Sequence, residues 1–144
     1  MDNKSSARDI AMAAWQHLAH GHQSGDFAAY LAMLTEDYTF SMPTGAFRGT
    51  HVGRAQAAEC YAEIAESKPN LTYAPPLRVT EMGDTVVIEF EDDCTITDRP
   101  YRNRIANSFD VRGSHIAGFR EYFGDIDPNF IIALSDGASA SPKT

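Results

Sequence analysis

Apolar residues recur at three-to-four spacing from Ile10 through Ala14 and Leu18 to Gly21, with Trp15 beside the stripe. Ser5 and Ser6 stand where a helix is capped, so the spacing predicts a helix running to about His22. Ser24-Gly25-Asp26 breaks and recaps the chain, and Phe27, Tyr30, Leu31 and Leu34 predict a short second helix ending near Thr35. Tyr38, Phe40 and Met42 then alternate with Thr39 and Ser41, as a half-buried strand does, until Pro43-Thr44-Gly45 stops it and a loop passes through Phe47-Arg48-Gly49. From about Val52 to Glu66, Ala57, Tyr61, Ile64 and Ala65 return to helical spacing, with Pro69 marking the end. Everything after it reads as strand. Leu71 to Met82 is interrupted by Pro75-Pro76, and Thr85 to Ile96 follows a Gly83-Asp84 turn. Tyr101 to Val111 follows a turn at Thr97-Asp98-Arg99-Pro100, and His115 to Phe123 follows the tight turn Arg112-Gly113-Ser114. Helices first and antiparallel strands after are the mark of an α+β domain.

Alternate side chains of a strand share a face, so each long strand divides into two sets. Val86, Ile88, Phe90, Asp92, Cys94 and Ile96 form the apolar set of one, in which Asp92 is the only ionisable residue. A carboxylate there either finds donors or is shifted toward its neutral form, unless a bulge near the strand end delivers it to solvent beside Asp93. In the next strand the apolar set is Tyr101, Asn103, Ile105, Asn107, Phe109 and Val111. Each of its two asparagines has a donor and an acceptor to satisfy, from neighbouring backbone, from one another, or from a ligand. The last strand phases less clearly, because His115, Ala117, Phe119, Glu121 and Phe123 alternate with Ile116, Gly118, Arg120 and Tyr122, and both sets hold large apolar groups. With Phe119 and Phe123 inward, Glu121 lies in apolar surroundings that suit acid or base work; with them outward, it is a solvated partner of Arg120 or Arg104.

The chain of 144 residues has room for one domain and one sizeable core. Its apolar runs are too short to cross a bilayer, and its start lacks the features of a signal peptide, which makes a cytoplasmic location the expectation. The net charge of −8 and the scattered basic residues argue against a nucleic-acid partner. Cys60 and Cys94 are expected as free thiols. His17, His20 and His22 lie close together, but a helix carries His22 away from the other two and no carboxylate or cysteine completes a ligand set, so no metal is expected. No G-x-S-x-G elbow supports a nucleophilic serine. Residues 1–5 and 137–144 offer little to bury and are expected to fray.

The order of helix, Ser24-Gly25-Asp26, helix, a strand ending Phe40-Ser41-Met42-Pro43, a third helix and long strands resembles the NTF2-like superfamily. Tyr101-Arg102-Asn103-Arg104 through Phe109-Asp110-Val111 and Gly113-Ser114-His115-Ile116 to Phe119-Arg120-Glu121-Tyr122-Phe123 resembles the terminal hairpin of SnoaL-like proteins and limonene epoxide hydrolases. The resemblance covers roughly residues 6 to 128. It implies a cone, the cystatin-like α+β roll, with three N-terminal helices packed on a curved antiparallel sheet. Limonene epoxide hydrolases place an Arg-x-Asp pair where this chain reads Phe90-Glu91-Asp92, and an aspartate where it has Glu121, so both acids are kept and the orienting arginine is lost. Ketosteroid isomerases carry a base where this chain has Met42, a tyrosine near Leu18 and an aspartate at Asn107, so all three of those groups are replaced. SnoaL-type polyketide cyclases use few groups in an apolar cone, and Glu121 or Asp92 would supply the acid.

These readings lead to an expected enzyme that moves a proton on a largely apolar, oxygenated ring compound, as an isomerase, cyclase or dehydratase does, without metal or nucleotide. Asp92 and Glu121 are the acid/base candidates and Asn103 and Asn107 the orienting donors. Trp15, Phe40, Met42, Phe90, Phe109, Phe119 and Phe123 are the expected walls. A non-catalytic ligand carrier and a dimeric assembly module on the same fold are the alternatives. The resemblance also implies a homodimer, joined through the outer face that carries Arg102, Arg104 and Ser108.

Overall fold

The computed structural model describes residues 5–67, 70–96 and 98–125. The expected fraying of 1–4 and 137–144, and the roles of Pro69 and Thr97 as breakers, fall outside these residues. Among the described residues there are three helices and seven strands: α1 (Ala7–Ser24), α2 (Ala28–Leu31), β1 (Leu34–Met42), β2 (Gly49–Val52), α3 (Arg54–Ser67), β3 (Thr72–Tyr73), β4 (Arg78–Met82), β5 (Thr85–Ile96), β6 (Arg99–Arg112) and β7 (His115–Phe123). None of the helices is long and apolar enough to cross a membrane.

Helix α1 begins at a capping box. The Ser6 hydroxyl accepts from the Asp9 N–H, and the Asp9 carboxylate accepts in return from the Ser6 N–H, satisfying two of the backbone donors a helix start leaves open. Ala11, Ala14, Trp15, Leu18 and Gly21 form its buried stripe. The helix stops at Gly25, whose left-handed backbone brings its N–H onto the Gly21 carbonyl. Gly21 itself has a packing role, because a Cβ there would run into the Phe27 ring.

The sheet runs in the order β2-β1-β7-β6-β5-β3, with β4 also paired to β5. It is a mixed sheet rather than the antiparallel one expected, because β1 pairs with β7 in parallel, Phe40 opposite Phe119. Turn signals fix only strands adjacent in sequence. Here the first strand meets the last across most of the chain, and nothing local announces its direction. The same pairing shortens the second helix. Leu34 is drawn against Ile116, and the Ile116 N–H bonds the Met33 carbonyl, so the strand begins where the apolar spacing still reads as helix. The stretch at Gly49–Val52, expected as a loop running into a helix, pairs along the edge of β1. Leu71 to Met82 divides at Pro75-Pro76, which offer no N–H, into two short strands that both pair with β5.

The uncertain phase of the last strand has a structural cause. Val111 pairs with Ile116 and Asp110 with Gly118, which leaves Ala117 as a bulged extra residue. Both Ile116 and Phe119 can then face inward, and the inner set continues through Glu121 and Phe123. On the outer face, Gly118 leaves room for the Asp110 side chain, which accepts from Arg120 at 2.8 Å and from the Thr85 hydroxyl at 2.9 Å. The guanidinium beside it holds the Asp110 carboxyl below the usual carboxylate range.

Replacing Gly21 by alanine in mid-helix favours the helix by up to about 1 kcal/mol, but it forces the Phe27 ring to move, an overpacking cost of about 1–3 kcal/mol. Denaturant unfolding of Gly21→Ala is expected to show a net loss of stability, whereas Gly21→Ala with Phe27→Leu is expected to recover part of it.

Candidate functional site

The inner face is a set of cross-strand rows. Val86, Phe109, Phe119 and Phe40 form the first, all essentially inaccessible to solvent. Ile88, Asn107 and Glu121 form the second, Phe90, Ile105 and Phe123 the third, and Asp92 and Asn103 the last, with Tyr73 opposite Asp92. The face thus runs from aromatic at one end to polar at the other. Trp15 from α1 packs on the Phe90 ring edge-on, centroids 5.1 Å apart, and on Tyr73 at 5.4 Å. Trp15, Phe40, Met42, Phe90, Phe109 and Phe119 are all buried, and Phe123 is half-buried at the polar end.

Both candidate acids lie on this face. Asp92 is buried, not turned to solvent by a bulge, and Glu121 is half-buried. Each makes its negative charge felt at Tyr73 and at Tyr101. The two asparagines have separate fates. Asn103 donates to the Tyr101 hydroxyl at 3.1 Å and accepts from the Asp125 N–H at 3.0 Å, so its amide ties β6 to the chain beyond β7. Asn107 is fully buried, and its amide makes no well-formed hydrogen bond among the described residues, although it stands near enough to the Tyr73 hydroxyl to act on it as a donor. Glu121 is its direct neighbour across the β6 and β7 pairing, the arrangement that brings Cβ atoms to about 4.5–5.5 Å.

The tyrosines are the part that sequence reading missed. Tyr30 from α2 and Tyr38 from β1 share a hydroxyl hydrogen bond of 2.7 Å in the core, and Tyr61 from α3 packs edge-on against Tyr30 with centroids 5.4 Å apart. Burial pushes the phenol pKa of Tyr30, Tyr38, Tyr61 and Tyr73 up, and the Glu121 charge adds to the rise at Tyr30, Tyr61 and Tyr73. At Tyr73 the Asn107 amide, as a hydrogen-bond donor, acts in the opposite direction. These phenols therefore stay protonated, and the Glu121 charge is felt at three of them. In sequence each fills an apolar position where phenylalanine would pack equally well. The signal available was their recurrence: Tyr30, Tyr38 and Tyr61 are the buried tyrosines of α2, β1 and α3.

Comparisons with known proteins agree on the family and the fold. The SnoaL-like domain model matches residues 13–119. An NTF2-like protein from Anabaena variabilis is 38% identical over 88% of this chain and 96% of its own, with a TM-score of 0.78. A polyketide cyclase candidate from Xanthomonas campestris is 23% identical over 90% of this chain and 99% of its own, with a TM-score of 0.66. The protein TerC, co-crystallised with polyporic acid, is 18% identical over 91% of this chain and 99% of its own, with a TM-score of 0.70. The last two speak for the fold alone. Among curated proteins none matches the chain.

The two buried polar features respond oppositely to removal. Tyr38→Phe leaves the Tyr30 hydroxyl without its 2.7 Å partner and is expected to cost about 1–3 kcal/mol. Asn107→Leu removes an amide that makes no well-formed hydrogen bond among the described residues and is expected to leave stability equal or higher. Urea unfolding of both variants beside the wild type checks the contrast.

Proposed function

Since this chain belongs to the SnoaL-like domain family, we propose that the polar end of its inner face binds a largely apolar, oxygenated ring compound and that Glu121 moves a proton on it, as in an isomerase, cyclase or dehydratase. The observation that carries this reading is the company Glu121 keeps. It faces the amide of Asn107 across the strand pair and stands among phenols that burial keeps protonated. A base beside donors that hold an oxyanion is the minimum equipment for taking a proton from carbon next to a carbonyl.

Asp92 lies two rows away, beside Tyr73 and Asn103, and that separation supports a role in orienting the far end of a ligand rather than in sharing the proton with Glu121. The aromatic rings of Trp15, Tyr73 and Phe90 supply apolar contact for a ring. Neighbours on this fold described as a polyketide cyclase candidate and as co-crystallised with polyporic acid agree with a small-molecule role. The dense aromatic filling of the first row favours a second reading, a non-catalytic binding or dimeric assembly module on the same fold.

The two readings separate at Glu121. Glu121→Gln keeps shape and hydrogen bonding but removes the base, so an enzyme is expected to lose about 100-fold or more in turnover while ligand affinity holds. A variant that keeps its activity contradicts the assignment.

We further propose a homodimer through the outer face of β5 to β7. There Arg104 pairs with Asp125 at 2.6 Å, and Ser108 is covered by Arg120, while Arg102 and Tyr122 are left exposed. Light scattering is expected to give twice the chain mass, and a monomer at high concentration would remove the proposal.

A further inference from the structure

With the inner-face site proposed above as the premise, we infer that the ring of Phe47 is a plug that a bound ring compound displaces, so that the chain holds its own site closed at rest. The rings of the inner face are packed on one another. Its first row is essentially inaccessible to solvent, and in the third row the Phe90 ring has Tyr73 at 4.4 Å and Trp15 at 5.1 Å, both in direct contact. A ligand ring therefore enters where a side chain of the rim leaves.

Residues 43–48, which join β1 to β2, are the part of the rim that can give way. Among the described residues they are tied to the strands by a single bridge, Met42 with Arg48, and turned by a bond from the Arg48 N–H to the Gly45 carbonyl at 3.1 Å. Gly45 and Gly49 have φ of 88° and 97°, and no other part of the chain comes within 4 Å of where a Cβ would stand at either. These glycines thus serve backbone conformation and not packing, as hinge positions do.

Phe47 lies between the two. It is half-buried against the core and edge-on to the His51 ring, centroids 5.3 Å apart, and His51 in turn packs on Phe40 of the first row at 5.3 Å. The Phe47 carbonyl accepts from His51 Nε2 at 3.0 Å, which makes this bond the latch of the segment. The row behind it is that of Glu121. Ser41 pairs with Arg120, so Met42 and Glu121, each one residue further on, continue that row at its β1 end, and Met42 is the residue that Arg48 bridges. Withdrawal of Phe47 leaves the space of one aromatic ring there.

A ligand that needs the open state binds with an affinity reduced in proportion to the open fraction. Loss of the latch raises that fraction by one hydrogen bond's worth, and loss of the ring removes the plug altogether. The probe is 4-fluorophenol, a ring with one polar oxygen, followed by its fluorine NMR signal. Phe47→Ala is expected to bind it about tenfold or more tightly than the wild type. His51→Phe keeps a ring between Phe40 and Phe47 and removes the latch, and is expected to gain about three- to tenfold. Nuclear Overhauser contacts are expected to place the probe against the Met42 methyl in both variants. An affinity no higher than wild type in His51→Phe, or in a folded Phe47→Ala, would overturn the inference, as would a probe that binds without touching Met42. If Phe47→Ala does not fold, His51→Phe decides alone. These readouts need no turnover. Activity that survives Glu121→Gln ends the catalytic reading and leaves the plug standing, whereas unchanged affinities end the plug and leave the catalytic reading to its own test.

Discussion

The unbroken pairing of β5 with β6, from Thr85 opposite Asp110 to Ile96 opposite Arg99, is the constraint on which the rest of this molecule depends. Side chains alternate with a period of two, so a slip of one residue would either carry Val86, Ile88 and Phe90 to solvent and bring Glu89 and Glu91 into the core, or do the same to Ile105 and Phe109 in exchange for Arg102 and Arg104. Burial of each large apolar side chain is worth about 1.5–3 kcal/mol, which makes the native register far better than its neighbours. Asn103, Asn107 and Asp92 share the apolar set, so the same register carries them inward. The hydrophobic residues thus hold the polar ones in place, and no polar contact has to be strong enough to do so itself.

A second device carries the inner face onto β7. Without the bulge at Ala117, either Ile116 or the Phe119, Glu121 and Phe123 set would point outward. With it, both sets serve the core and Glu121 arrives beside Asn107. The helical layer completes the arrangement from the other side, since Tyr30 and Tyr61 come from α2 and α3 and Trp15 from α1. Elements distant in sequence therefore each supply one group to a small region around Glu121.

Much of this was legible in the sequence because it rests on periodicity. The inward sets of β5 and β6, and the bounds of β5 and β7, follow from alternation and from the turns at Gly83-Asp84 and Arg112-Gly113-Ser114. The parallel pairing of β1 with β7 was not legible, nor was the edge strand at Gly49–Val52, since both depend on long-range pairing that leaves no local mark. The bulge was visible only as ambiguity: large apolar residues on both faces of one strand. The tyrosines escaped because patterning treats them as apolar, and only three-dimensional packing shows the Tyr30 and Tyr38 hydroxyls in contact.

The central claim is that the Glu121 carboxylate and the buried phenols share one environment. Observing the tyrosine Cζ resonances by NMR while pH is lowered through the carboxylate range measures this directly. Tyr30 and Tyr61 sense Glu121 across the core, whereas Tyr122 is exposed on the opposite face. The account predicts that the Cζ signals of Tyr30, Tyr61 and Tyr73 move together in one titration, that this movement vanishes from Tyr30 and Tyr61 in Glu121→Gln, and that Tyr122 does not take part. Signals of Tyr30 and Tyr61 that stay still in the wild type, or that titrate unchanged in Glu121→Gln, would contradict it.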